Sequence, residues 1–69
     1  MNICIIGLGS IGQRHLKNIH AVAAKRGIQV TVDVVEPREI GYFFDFALAG
    51  AKNVNSIPYA NGIIGFVGG

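Results

Sequence analysis

Gly7, Gly9 and Gly12 lie in the stretch GLGSIG, directly after an apolar run and directly before a helix-like one. Glycines at this spacing leave backbone N–H groups bare at a helix start, where the positive end of the helix dipole adds to them. Such a turn suits an anion, and a phosphate above all. Each glycine has a separate task. Gly7 permits the tight turn out of a strand, Gly9 lacks a Cβ so that a pyrophosphate can approach the backbone, and Gly12 lets the helix pack closely on the strand. Ser10 and Ile11 bring the N–H groups, and Ser10 is also placed to cap the helix. A second chemical group, Glu36, stands 24 residues beyond Gly12. An acid about 20 residues past such a turn accepts hydrogen bonds from ribose hydroxyls in dinucleotide-binding units. The competing reading is a structural bend, since ten glycines in 69 residues make a chance match easy.

The elements that would position these groups follow from the apolar pattern. Asn2 to Ile6 reads as a strand, and its unbroken apolarity suits a parallel sheet covered on both faces. Residues 11–26 read as a helix with an apolar stripe of Ile11, Leu16, Ile19, Val22 and Ala23. Lys25 and Arg26 suit its negative end and Gly27 its stop. Ile28 to Val35 is the second strand, rich in β-branched residues and ended by Glu36-Pro37. Residues 39–50 fit a second helix, because Ile40, Phe43, Phe44, Ala47, Leu48 and Ala51 recur at helical spacing. Val54 to Ile57 reads as a short strand, Asn61-Gly62 as a turn and Ile63 to Val67 as a buried strand. The order β-α-β-α-β-β predicts an α/β fold with a mostly parallel sheet.

Other groups offer less. An acid at Glu36 would repel a 2′-phosphate and favour NAD, whereas the Arg38 guanidinium two residues on could hold that phosphate and favour NADP. Asp33 competes as the ribose acid but falls inside the strand. His15 and His20 are five apart, off the spacing of two ligands on one helix face, so no metal site is expected. His15 is expected under the glycine turn as a packing or hydrogen-bonding residue. Asp33, Glu36, Glu39 and Asp45 form no pair spaced for acid–base work. Tyr42, Phe43, Phe44 and Phe46 would spread around a helix, part core and part uncovered interface. Cys4, the single cysteine, excludes an internal disulfide and reads as a small buried core residue.

The totals set bounds. Charged residues make up 14% of the chain, against about 25% in an average protein. A chain of 69 residues buries only roughly 60% of its unfolded surface. The sequence is thus expected to pack against a further domain or to self-associate. The net charge of +2 and the scattered basic residues argue against a nucleic-acid partner. There is no secretory signal and no stretch of roughly 20 uncharged apolar residues, so the expectation is a cytoplasmic protein without a membrane partner.

GLGSIGQRHLKN, residues 7–18, resembles the opening of the Gfo/Idh/MocA oxidoreductases, the glucose–fructose oxidoreductase and inositol dehydrogenase group. The likeness is strong over residues 1–20, fair to Glu36 and weak beyond. It implies a partial Rossmann-type, doubly wound sheet: the N-terminal part of a dinucleotide-binding domain, without the C-terminal substrate domain. It also implies NAD, or NADP, passing hydride to or from a sugar- or polyol-like substrate. Carried over by position, Gly7, Gly9, Ser10, Ile11 and Gly12 would cradle the pyrophosphate, and Glu36 with Arg38 would face the adenosine ribose. The family's Thr-Pro or Asn-Pro pair after the fourth strand is replaced by Val67-Gly68-Gly69. Its Glu-Lys-Pro motif, with the catalytic lysine, is not in this sequence, so no catalytic residue is assigned and the 69 residues alone are expected to be inactive.

Three other readings use the same turn. One is a non-catalytic nucleotide-binding or regulatory module, and another is a truncated fragment without activity of its own. The third exchanges the ligand for FAD or S-adenosylmethionine. The methyl donor fits poorly, since Ile5 and Ile6 occupy the place where its binding turn usually has an acid.

Overall fold

The computed structural model describes residues 1–65. Strand β1 (Asn2–Ile6) leads through the glycine turn into helix α1 (Ser10–Arg26), followed by β2 (Thr31–Val35), β3 (Ala51–Asn53) and β4 (Gly62–Gly65). The four strands form one parallel sheet in the order β3-β2-β1-β4. The chain is therefore mixed α/β with a parallel sheet, as expected. The expected second helix is absent among the described residues, so the observed order is β-α-β-β-β. Residues 66–69, which include the expected strand end at Val67 and the Val67-Gly68-Gly69 turn, lie outside the described residues.

Register explains which strand residues face α1. Ile3 aligns with Val32 and Ile5 with Val34, placing these four on one face. Ile5, Leu8, Leu16, Val32, Val34 and Ile40 form a single buried cluster. Each fully buried aliphatic side chain contributes about 1.5–3 kcal/mol. The buried line of α1 is Gly12, Leu16 and Ala23, with Ile19 half-buried. Ile11 and Val22, expected in the stripe, lie beside it, 49% and 51% exposed. Gly27 takes the left-handed conformation at φ 66°, and Ile28 N–H donates to the Ala23 carbonyl at 2.9 Å. This closure consumes Ile28, so β2 starts at Thr31 and not at Ile28 as expected.

The segment 41–50 makes separate turns. Phe44 N–H donates to the Ile40 carbonyl at 2.9 Å, and Ala49 N–H to the Asp45 carbonyl at 3.0 Å. Between them the Asp45 carboxylate accepts from Leu48 N–H at 3.0 Å and starts a new turn. Phe44 and Phe46 both pack on the core, edge to face with ring centroids 5.0 Å apart. Residues two apart point to opposite sides of a helix, so this shared inward direction excludes one. Tyr42, Phe43 and Leu48 stay outside, 87%, 62% and 86% exposed.

The expected strand at Val54 to Ile57 also moves, to Ala51–Asn53, aligned on Val32, Asp33 and Val34. The last strand begins at Gly62, one residue before the expected Ile63. From β3 to β4 the chain moves in the opposite direction to β1–α1–β2. By the right-handed rule for parallel strands, the connection over residues 54–61 belongs on the face opposite α1. Cys4 points to that face and is fully buried. Burial, and after it the charge of Asp33, pushes its thiol pKa up. No helix among the described residues is long and apolar enough to cross a membrane.

Candidate functional site

The site is built where β1 ends. Gly7 turns at φ 87°, a conformation that L side chains rarely adopt, and its N–H donates to the Val35 carbonyl at 2.9 Å. Gly12 is needed for a different reason. A Cβ placed on it would lie 2.6 Å from the Gly7 carbonyl oxygen, so only glycine lets α1 sit this close to the turn. Gly9 is the N-cap of α1 at φ −76°, ψ −165°, a conformation open to any residue. Backbone geometry therefore accounts for Gly7, and helix packing for Gly12. Neither the φ nor the ψ of Gly9 calls for glycine.

Ser10 is the first helical residue and not the cap. The N-cap is Gly9, which has no side chain to cap with, and no acidic residue stands in the first turn of α1. The first amides of a helix lack intrahelical acceptors. Gln13 N–H, by contrast, already donates to the Gly9 carbonyl at 2.9 Å. The positive end of a 17-residue helix thus opens at the carboxyl edge of the sheet, at β1. There the strand order reverses: β2 and β3 lie on one side of β1, and β4 on the other.

Leu8 is anchored at three points. Its side chain is buried in the core. Its N–H donates to Glu36 Oε1 at 2.8 Å, and its carbonyl accepts from Gln13 Nε2 at 3.3 Å. Glu36 is expected from the sequence to face ribose. It is instead buried, at 6% exposure. Its Oε1 also accepts from Arg38 Nη2 at 2.6 Å, and its Oε2 from Arg38 Nε at 3.0 Å and Arg38 N–H at 3.1 Å. The Arg38 guanidinium is the largest influence on the Glu36 carboxyl, and burial opposes it. The Leu8 and Arg38 amides then add to it, and the pKa falls from 4.5 to about 2. Asn53 completes the frame. Its Oδ1 accepts from Glu36 N–H at 3.3 Å, and its Nδ2 donates to the Glu36 carbonyl at 3.4 Å.

The structure thus brings Gly7, Gly9, Ser10, Ile11, Gly12, Glu36 and Arg38 to one edge of the sheet. Gln13 and Asn53 belong to the same frame and were missed. The G-x-G-x-x-G spacing gives no hint of either, because their roles depend on where β3 and the helix start fall. His15 lies exposed on α1, beside Met1, Ile3 and Asn18 in a groove away from the turn, which corrects its expected place under the turn. His20 Nε2 donates to the Gly50 carbonyl at 2.8 Å, tying α1 to the start of β3. No group of three or more His, Cys, Asp or Glu side chains among the described residues is clustered to hold a metal ion. No protein-family model matches this chain, and neither does any curated protein or solved structure.

Proposed function

We propose that this chain is the NAD(P)-binding portion of an oxidoreductase of the Gfo/Idh/MocA type, built on the first strands of a Rossmann-type domain. The observation that carries the reading is the position of the glycine turn. It lies at the carboxyl end of β1, where the order of a parallel sheet reverses, and open α/β sheets bind their ligands in that crevice. The sheet order β3-β2-β1-β4 is also the first part of the order 3-2-1-4-5-6 of such domains.

The residues present fit a pyrophosphate. Gly9 offers backbone without a Cβ, and the amides that follow it start a helix whose dipole favours negative charge. Leu8, held by Glu36 and Gln13, keeps the turn in shape before any ligand arrives. When bound, the nicotinamide supplies the hydride chemistry. The substrate implied by the resemblance is sugar- or polyol-like. These residues bind and orient the adenosine and pyrophosphate half, and none of them is assigned a catalytic role.

The test is a titration of NAD⁺ and NADP⁺ into labelled protein, followed through amide chemical shifts. The proposal expects saturable shifts centred on Gly9, Ser10, Ile11 and Gly12. A dispersed spectrum that ignores both nucleotides would reduce the turn to a structural bend.

A further inference from the structure

Residues 41–50 make separate turns where the apolar spacing predicts a helix. A continuous helix would lay one apolar side along its neighbour. The separate turns instead leave a cavity of about 570 Å³ between this segment and α1. We propose that this cavity binds a small carboxylate with an apolar body. None of Gly7 to Gly12 lines it, so the site is independent of the dinucleotide reading above.

The walls suit the apolar body. Leu16 is buried and Phe44 half-buried on the core side, while Leu48 stands on the rim, 86% exposed. An occupant would take Leu48 out of water. His20 ties the two walls together, since its Nε2 donates to the Gly50 carbonyl at 2.8 Å. Gly50 turns at φ 75°, and a Cβ there would lie 2.6 Å from His20 Nε2, so the tie requires glycine. Pockets of roughly 300–1,000 Å³, mostly apolar with a few polar groups, are usual for small molecules. A stable protein interface takes about 20–30 residues a side, many more than line this cavity.

The polar groups select the head. Gln13 gives its Nε2 to the Leu8 carbonyl, and His20 is held on Gly50. Lys17 has no ion-pair partner among the described residues, and no carboxylate lines the cavity. Asp45, on the same segment, holds the Leu48 amide and lies outside the lining. An ammonium without a counter-charge beside an apolar wall attracts an anion and repels a cation. The rival site is the groove beside Met1 and Ile28, whose cation is Arg26. Arg26 stands in the last turn of α1, where the negative end of the helix dipole offsets its charge, whereas Lys17 lies in mid-helix.

The experiment titrates octanoate, octanamide and octylamine into the full chain, each below its micelle-forming concentration, and follows amide shifts. The three share a body and differ in the charge of the head. Saturable shifts are expected at Lys17, His20, Leu48 and Gly50. Octanoate should bind roughly twofold to fivefold more tightly than octanamide, as an exposed ion pair implies, and octylamine least. Lys17 and Leu48 are exposed, so substitutions there spare the core. Lys17→Met, which keeps the stem without the charge, should abolish the order, and Leu48→Asn should weaken all three. Equal binding of the three, an order that survives Lys17→Met, or a Leu48→Asn variant that binds as wild type overturns the inference. Shifts centred on Val22, Arg26 and Ile28, or no saturable shift at all, also overturn it. The dinucleotide reading stands or falls separately, on the shifts that NAD⁺ and NADP⁺ cause at Gly9 to Gly12.

Discussion

Glu36 carries more of the site than any other side chain. Its pair with Arg38 ends in solvent and contributes little by itself, because exposed ion pairs are worth about 0–1 kcal/mol. The buried bond from the Leu8 amide matters more, since losing it strands a donor. Glutamine offers one acceptor oxygen where the carboxylate offers two, so either the Leu8 amide or the Arg38 donors face an NH2 group, and Glu36→Gln should destabilise the chain by about 1–3 kcal/mol at neutral pH, measured by urea unfolding. The pH dependence has a definite sign. The folded pKa of about 2 lies below the ordinary 4.5, so the native state binds fewer protons. Stability from this group is complete above pH 4.5 and drains away as pH falls toward 2. Wild type should lose stability more steeply than Glu36→Gln over that window, and the two curves should converge at its acid end. Parallel curves would show that the carboxylate is not held as described.

At the scale of elements, α1 and the turn before it form one unit. Gly12→Ala separates two explanations of the third glycine by sign. Helix propensity alone would make alanine stabilising by about 1 kcal/mol. The Cβ, however, would meet the Gly7 carbonyl at 2.6 Å, and forced separation of packed elements costs about 1–3 kcal/mol. The substitution is therefore expected to lower the unfolding midpoint, and a raised midpoint would contradict the packing described. The sequence made these elements legible where local signals agree. β1 runs over Asn2–Ile6 as its apolar run indicates, and α1 ends at a glycine that local chemistry marks. It was illegible where tertiary pairing decides. Ala51–Asn53 has little strand character of its own and becomes β3 through its alignment with β2. The helical spacing over residues 39–50 was a poor guide because Asp45 and two inward-facing aromatics impose separate turns. At the site, the glycine positions could be read from spacing, and the burial of Glu36 could not. That burial depends on Leu8 and Arg38 closing around it from different segments.

The whole molecule rests on one small core beneath α1, and single domains of this size rarely hold more than about 3–5 kcal/mol. A ligand that binds only the folded state should therefore raise stability visibly. Nucleotide at a hundredfold excess over its dissociation constant adds about 2.7 kcal/mol. For a domain of this length that corresponds to a rise of about 10–20 °C in Tm. An unchanged Tm at saturating nucleotide would contradict the proposed binding. The central claim is that Gly9 is glycine for the sake of an anion, and Gly9→Asp tests it most directly. Its φ and ψ suit any residue, and an aspartate there would put a capping carboxylate where the N-cap is now glycine. The measurement is Tm together with NADP⁺ affinity, for wild type and this one variant. The variant is expected to be more stable, by about 0.3–1 kcal/mol, with an affinity that falls at least roughly tenfold as the new carboxylate repels the pyrophosphate. A stabilised variant that binds NADP⁺ as wild type does would contradict the central claim.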